Sequence, residues 1–275
     1  MTTQNTTEAP LTGGALATSA AAGGALVGVD DDLVQDAGVG TENITAADVK
    51  TPRLKICQAG SPQRKPDNDK QITGLNELEM FNDLSGEIYG RGPLQFVVVA
   101  QMGARGMQFG DDGKTVVDFD VPLNDPRMQF TVDPNTKKRV KPVATLFYEY
   151  LLWLPEKEEL VALSLSSTMI GTAKELNSKI TYPLRGLMNP PAWARTFSFE
   201  TKMKQDGKFN WGVFAMKQIG ETPADVRAKC RVFAKMFAGK KLDVNIDEGD
   251  APAAAGGADN GGEHNGGGTE EPGDM

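Results

Sequence analysis

Residues 192–219 read AWARTFSFETKMKQDGKFNWGVFAMKQI, and they carry the strongest indication of the fold. Residues 192–204 and 209–219 alternate between apolar and polar side chains, which is typical of β-strands with one buried face. They flank Asp206-Gly207, a dipeptide that favours the tight turn between two antiparallel strands. These residues therefore predict a long β-hairpin.

Further strands are predicted on the N-terminal side of this hairpin. Apolar runs and alternating patterns indicate strands over residues 51–56, 94–101, 115–121, 143–154 and 160–165. Turn-forming residues separate them at Asp111-Asp112-Gly113, at Asp133-Pro134-Asn135 and at residues 155–158. The glycine-bearing residues 103–110 match a phosphate-binding loop only weakly, because no strand-loop-helix context with a following Lys-Ser/Thr accompanies them.

Two helices are predicted. The first covers residues 167–179 and has an apolar side formed by Met169, Ala173, Leu176 and Ile180. The second covers residues 222–238, with Thr222 as N-cap, Pro223 at the first helical position and Gly239 at the end. Its apolar stripe consists of Val226, Cys230, Phe233 and Phe237. Together the elements predict a mainly β (β+α) fold, either an OB-like small barrel or a curved antiparallel sheet with two helices.

Charge is segregated along the chain, which has 275 residues and a net charge of −8. Residues 1–49 carry seven acids and residues 243–275 carry nine, and neither segment contains Lys or Arg. Both segments have few bulky apolar residues, so they predict disordered acidic tails around a basic, β-rich core at residues 50–242. A basic core suits a polyanionic ligand, and the C-terminal tail is then a tethered mimic of that ligand.

Composition argues against several other classes. No apolar run is long enough for a membrane helix and the N-terminus lacks the basic region of a secretory signal, so we expect a cytoplasmic protein without membrane contact. The single histidine, His264, lies in the C-terminal tail, which disfavours zinc sites and histidine-dependent catalytic sites. We expect no enzyme activity, metal or cofactor. Cys57 and Cys230 are expected to be buried free thiols, with a disulfide left open as the alternative.

Single-stranded nucleic acid is bound by cations that neutralise phosphates and by flat side chains on which bases stack. Residues 174–241 hold fourteen Lys and Arg against five acids, interleaved with Trp and Phe. The predicted nucleic-acid-binding residues are Arg53, Lys55, Lys137, Lys138, Arg139, Lys141, Tyr148, Tyr150, Trp153, Arg185, Arg195, Lys202, Lys204, Lys208 and Phe214.

Several of these residues have a plainer interpretation. Most of Trp193, Phe197, Phe199 and Trp211 are expected to be core, because they alternate with polar residues. Phe214 lies on the other row, beside polar positions, and is the better stacking candidate. Arg195 interrupts an apolar row and indicates a strand end or a partly open face. The cations of residues 137–141 also fit a solvated turn, and those of residues 51–56 fit the protection of an edge strand.

The combination of a basic β core, interleaved aromatics and an acidic C-terminus resembles bacteriophage single-stranded-DNA-binding proteins of the OB-fold class. Residues 51–56 (TPRLKI) and 81–90 (FNDLSGEIYG) also resemble a group of phage proteins that are often found with replication and recombination genes. The resemblance implies protection of replicating phage DNA, contacts with polymerase or helicase, and a dimeric or larger assembly. Such tails commonly end in an aromatic residue, whereas this chain ends in EEPGDM at residues 270–275, which weakens the expected role of the tail with partner proteins.

Three functions remain open. The first is non-specific binding of single-stranded DNA, with RNA as a further ligand, in phage replication or recombination, where the acidic tail modulates access or recruits partners. The second is a phage structural or assembly protein without a DNA-binding role. The third is an enzyme or inhibitor that acts on nucleic acid through a carboxylate metal site at Asp118 and Asp120, although alternating acids usually mark a solvated strand face. The joint occurrence of cations and aromatics favours the first.

Overall fold

The computed structural model of the protein describes residues 50–113, 115–207 and 209–238. The predicted disordered tails at 1–49 and 243–275, and the predicted helix end at Gly239, lie outside the described residues. The strands are β1 Leu54–Ile56, β2 Met80–Asn82, β3 Ile88–Gly90, β4 Leu94–Phe109, β5 Val116–Val121, β6 Thr131–Val132, β7 Arg139–Val140, β8 Ala144–Leu154, β9 Glu159–Ser166, β10 Arg195–Asp206 and β11 Phe209–Glu221. The α-helices are α1 Ile170–Thr181 and α2 Ala224–Met236.

A six-stranded antiparallel sheet forms the centre of the fold. Its strands follow the order β11-β10-β4-β8-β9, and β5 pairs with the distal half of β4. The hairpins β8-β9 and β10-β11 are those that the sequence predicted. Among the described strands β9 and β11 do not pair with each other, so the sheet is open at both ends. The prediction of a mainly β fold with an antiparallel sheet and two helices is confirmed.

Strand β4 is longer than predicted, and it joins the two hairpins. It runs for 16 residues because residues 103–108 continue the pairing with β8 that residues 97–101 begin. Two irregularities, between Val98 and Ala100 and between Gln101 and Gly103, interrupt its register with β8, and such bulges bend a strand. Most of the glycine-bearing residues 103–110 are therefore strand and do not form a phosphate-binding loop.

A small sheet and α1 cover one face of the main sheet. The small sheet has the order β1-β2-β3. Its apolar residues share one buried cluster with residues of the main sheet, including Leu54, Ile56, Met80, Phe96, Phe197 and Phe199. Helix α1 adds the predicted Ala173, Leu176 and Ile180 to this cluster, which is the larger core of the fold.

The residues around β1 also reach both edges of the main sheet. On the β9 edge, the Ala162 N–H donates to the Pro52 carbonyl at 2.7 Å. On the β11 edge, the Gln58 side-chain amide bonds both backbone groups of Gly212, accepting from its N–H at 2.7 Å and donating to its carbonyl at 3.0 Å. An unpaired edge can recruit strands from other chains, so these contacts protect the sheet. Gly212 allows the approach, since a Cβ there would lie 2.7 Å from Leu78 Cδ2.

Helix α2 packs on the opposite face of the main sheet. Its predicted apolar stripe is confirmed, because Val226, Cys230, Phe233 and Phe237 belong to the cluster that contains Val97, Val99, Leu151 and Trp153. The ring centres of Trp153 and Phe233 lie 5.2 Å apart. None of the helices in the described part of the chain is long and apolar enough to span a membrane.

The predicted cap of α2 is wrong. Pro223 occupies the N-cap position, and no side chain caps the helix. Thr222 is buried, and its hydroxyl lies 3.2 Å from the hydroxyl of Thr196 on β10. The hydroxyl therefore joins the helix entry to the sheet instead of bonding the first turn.

Cys57 and Cys230 are buried free thiols, as predicted. They lie in separate clusters, Cys57 with Leu75 and Phe81, and Cys230 with the residues under α2. Burial raises the pKa of both thiols, that of Cys230 to about 12.

Candidate nucleic-acid interface

The distal half of the β10-β11 hairpin extends beyond the strand next to it. Strand β4 pairs with β10 only over residues 196–199 of β10. Beyond Phe199, β10 pairs with β11. In antiparallel pairs, opposite residues point to the same face of the sheet. The register sets Lys202 opposite Val213 and Lys204 opposite Trp211. One face of the distal hairpin thus carries two lysines beside an aromatic row.

We call this surface the distal hairpin face and define it by Lys202, Lys204, Phe209 and Trp211. Lys202 and Lys204 are exposed, Phe209 is 54% exposed and Trp211 is partly buried. Neither lysine forms an ion pair within the described part of the chain. The predicted Lys208, in the turn between the strands, lies outside the described residues. Phe209 was not among the predicted site residues, although its spacing of two from Trp211 places it on the same row.

The opposite face of the distal hairpin rests on the small sheet. The Thr201 hydroxyl donates to the Leu78 carbonyl at 2.6 Å, and the Thr201 N–H donates to the Arg91 carbonyl at 3.0 Å. Gln58 holds Gly212 from the same side. These contacts therefore support the distal hairpin from one face.

The prediction that Phe214 is a stacking residue is wrong. Phe214 lies opposite Thr201, on the face that the small sheet and α1 cover, and it is 3% exposed. Its ring centre lies 4.7 Å from that of Phe199. The pleat was assigned correctly, but the small sheet and α1 cover the row of Phe214, whereas Phe209 is exposed at the end of the row of Trp211.

Arg195 does not reach the surface either. It is 4% exposed, and its guanidinium donates to the carbonyls of Lys179 at 2.9 Å, Tyr182 at 2.8 Å and Pro183 at 2.9 Å. The last carbonyls of a helix lack partners within the helix. Arg195 supplies donors at the end of α1, so its role is structural.

Two of the three aromatic residues predicted on β8 belong to the core. Tyr150 is fully buried, and its hydroxyl donates to the Asn177 side-chain oxygen at 2.9 Å. Trp153 is 6% exposed beneath α2. Tyr148 is partly buried against the larger core. Burial raises the pKa of Tyr150, which keeps its hydroxyl a donor. The prediction that Tyr150 and Trp153 stack with bases is wrong, because β8 is a central strand with both faces covered.

The predicted cations outside these strands occupy different environments. Arg53 is buried, which contradicts the prediction of a surface contact. The ammonium of Lys55 lies 3.1 Å from the Asp83 carboxylate. Arg185 is exposed and donates to the Glu221 carboxylate at 2.8 Å. Lys55 and Arg185 thus already have anionic partners.

The basic residues near the Asp133-Pro134-Asn135 turn lie on a short hairpin. Strands β6 and β7 form it, and the Asp133 carboxylate accepts the Asn135 N–H at 2.8 Å, as a turn at this point predicts. This hydrogen bond lowers the pKa of Asp133. The predicted cations on or beside this hairpin are all exposed, namely Lys137, Lys138, Arg139 and Lys141.

A third basic surface lies at the end of α2. A cleft of about 430 Å³ is lined by Trp193, Arg231, Ala234, Lys235 and Ala238. The Arg231 guanidinium carbon lies 5.7 Å from the centre of the Trp193 ring. Arg231 and Lys235 are four residues apart and so lie on one face of α2, and the packing of α2 brings that face to Trp193.

The acidic residues of β5 have an internal role. Asp118 accepts from Arg127 at 3.0 Å and also from the Asp120 N–H at 3.1 Å, and these bonds lower the pKa of Asp118. Within the described residues, no group of three or more His, Cys, Asp or Glu side chains is placed to hold a metal ion.

A family model with the description Pam3 phage gp34-like protein matches residues 21–243, which is most of the chain. No curated protein and no solved structure matches the chain.

Proposed function

The chain belongs to the Pam3 phage gp34-like protein family and is thus a phage protein, and we propose that it binds single-stranded DNA without sequence specificity. The proposed setting is phage DNA replication or recombination. RNA is proposed as a second ligand of the same surface, since phosphates and base faces are common to both.

The distal hairpin face is the observation that carries the proposal. It combines Lys202 and Lys204 with the rings of Phe209 and Trp211 on one accessible surface of a supported hairpin. Lysines bind backbone phosphates and release counterions, and an exposed ring offers bases of any sequence a surface for stacking. The excess of cations over residues 174–241 strengthens the attraction for a polyanion.

A fluorescence titration tests the proposal. Labelled oligothymidine is titrated with the full chain at about 50 mM and about 200 mM salt, a range over which phosphate-dominated binding weakens strongly. We expect saturable binding at low salt, a steep loss at high salt, and quenching of tryptophan fluorescence that Trp211→Phe reduces. Absence of saturable binding at low salt would contradict the proposal.

The acidic C-terminal tail is proposed to regulate access to the basic surfaces. Ala238, the last described residue, lines the cleft with Arg231 and Lys235, and the acids begin at Asp243. A segment this close to the cleft can compete with DNA for its cations. When DNA displaces it, the tail is free to recruit replication proteins such as polymerase or helicase. A homodimer is part of the same proposal.

A phage structural or assembly role is the second candidate, and one observation favours it. Large apolar side chains are exposed around β5 and on the approach to β8, including Val117, Phe119, Leu123 and Val143. Apolar surface of this kind often marks a site of protein–protein contact. Detection of the chain in purified virions, together with no affinity for oligothymidine, would favour this role over DNA binding.

A further inference from the structure

We propose that Phe130 and Arg139 form a stacking platform for one nucleobase, with Lys137 and Lys141 placed for the neighbouring phosphates. This inference rests on the proposed function, and it adds a second contact surface that lies outside the distal hairpin face. Phe130 was not among the residues that the sequence predicted for binding.

The platform is formed by one cation stacked on one ring. The guanidinium carbon of Arg139 lies over the Phe130 ring, 3.6 Å from the centre of the ring. Phe130 nevertheless remains 52% exposed. The register sets Val132 opposite Arg139, so Phe130, Val132 and Arg139 lie on the same face of the β6-β7 hairpin. A guanidinium held over a ring in this way loses little further freedom when a base or phosphate binds to it.

The charge around the platform suits a polyanion. Lys137, Arg139 and Lys141 are exposed, and none of them forms an ion pair within the described residues. Arg139 lies on β7 on the side of Phe130, Lys137 has a left-handed backbone (φ 57°) two residues before β7 begins, and Lys141 follows β7 directly. The acid of the hairpin, Asp133, is used by the backbone of its own turn.

The base of the hairpin is held firmly on the main sheet. Arg127 donates to Asp118 at 3.0 Å, to Asp125 at 2.9 Å and to the Gln108 side-chain oxygen at 2.8 Å. Met128 packs so closely over Gly106 of β4 that a Cβ at Gly106 would collide with its sulfur. Phe130 follows two residues later, so its position relative to the sheet is set by these contacts.

A single-stranded nucleic acid fits this surface better than another protein does. Protein interfaces are depleted of lysine at their buried centres, whereas the β6-β7 hairpin has Arg139 over its ring and exposed lysines on or beside it. A nucleic acid satisfies both features at once, since each nucleotide offers a flat apolar base and an anionic phosphate.

The test compares two ligands and matched variants of the full chain. The ligands are labelled oligothymidine and an abasic oligonucleotide of the same length, which retains the phosphates but has no bases. The variants are Phe130→Ala, Phe130→Leu and Phe130→Tyr, with Phe119→Ala as the control. Phe119 is 44% exposed on β5, and among the described residues no cation lies over its ring. Thermal unfolding confirms that each variant is folded, and Phe130→Leu keeps the apolar contact if Phe130→Ala unfolds.

We expect Phe130→Ala and Phe130→Leu to weaken oligothymidine binding by roughly 5- to 150-fold, the range measured for loss of one stacked base. Phe130→Tyr and Phe119→Ala should bind like the unaltered chain, and the abasic ligand should be affected little by any variant. The inference alone is overturned if Phe130→Leu binds oligothymidine as tightly as the unaltered chain does. It is also overturned if the variants lose as much affinity for the abasic ligand as for oligothymidine. Failure of the unaltered chain to bind oligothymidine overturns the proposed function as well.

Discussion

Arg195 is a buried cation that serves as a helix cap. Its donors satisfy carbonyls at the end of α1. We expect Arg195→Met to lower the free energy of unfolding by about 2–4 kcal/mol, because these carbonyls lose the donors of a buried guanidinium while the apolar stem is retained. Urea denaturation of the purified variant measures this change.

Arg185→Met is the matched control for the loss of a guanidinium. The Arg185 side chain is 77% exposed and pairs with Glu221 at the surface. Exposed ion pairs contribute little to stability, so we expect the free energy of unfolding to change by less than about 1 kcal/mol. Equal destabilisation by Arg195→Met and Arg185→Met would show that the capping contacts of Arg195 contribute no more to stability than an exposed ion pair does.

The buried thiols allow a prediction about pH. Burial raises the pKa of Cys230 to about 12, and burial also raises the pKa of Cys57. Thiolate is the reactive form, so at pH 8 the alkylation of Cys230 by iodoacetamide should be on the order of 10³-fold slower than that of a free thiol. The rate should rise as the pH approaches the raised pKa.

Mass spectrometry of the alkylated peptides gives the rate at each cysteine. The control is the same reaction in guanidinium chloride, where unfolding exposes both thiols and restores ordinary reactivity. Rapid alkylation of Cys230 in the folded protein at pH 8 would contradict the packing of α2 on the sheet.

The distal hairpin is the element on which DNA affinity is expected to depend most directly. The double variant Lys202→Ala/Lys204→Ala should weaken oligothymidine binding and reduce the slope of log affinity against log salt by about 1.4, since each lost phosphate contact on a single strand reduces it by about 0.7. Titrations at several salt concentrations measure the slope.

Lys65→Ala/Lys70→Ala removes two exposed lysines from the connection between β1 and β2 and keeps the net charge equal to that of the hairpin variant. We expect this control to bind with nearly the original slope. If both double variants lose the same affinity and the same salt slope, binding depends on net charge and the distal hairpin face has no particular role.

The β elements were also the part of the fold that local sequence indicated best. The turn at Asp206-Gly207 and the alternation on either side predicted the β10-β11 hairpin, and the structure has it. The extension of β4 through Gly103 and Gly106 was missed, because glycines normally interrupt strands. Pairing with β8 outweighs that preference here.

Charge segregation is a property of the whole molecule, and it predicts how the tail acts. Deleting residues 243–275 removes nine acids and no cations. If the tail competes for the basic surfaces, the shortened chain should bind oligothymidine about tenfold more tightly at low salt, and the gain should shrink at high salt because of screening. It should also discriminate less between single-stranded DNA and other polyanions.

A chain of full length with Asn and Gln in place of the acids of residues 243–275 separates charge from length. We expect this neutral tail to behave like the deletion. An affinity that is unchanged in both proteins would leave the tail without a competitive role and favour one in solubility.

Local pattern and composition were sufficient to predict the hairpins, the two helices and the buried thiols. They also predicted a basic core between acidic tails. These features depend on residues that are neighbours in the chain, such as Asp206 with Gly207 or Val226 with Cys230. Alternation also indicated correctly that Phe197 and Phe199 are core.

Only the tertiary structure decides which way the aromatic rows face and which groups the cations contact. Phe214 faces the core because the small sheet covers that side, and Arg195 is used by α1. Phe130 meets Arg139 because β6 pairs with β7. Each result depends on strand register and on contacts between residues distant in the chain. A shift of one position in register moves every side chain to the opposite face, and contacts between distant residues decide which face is buried.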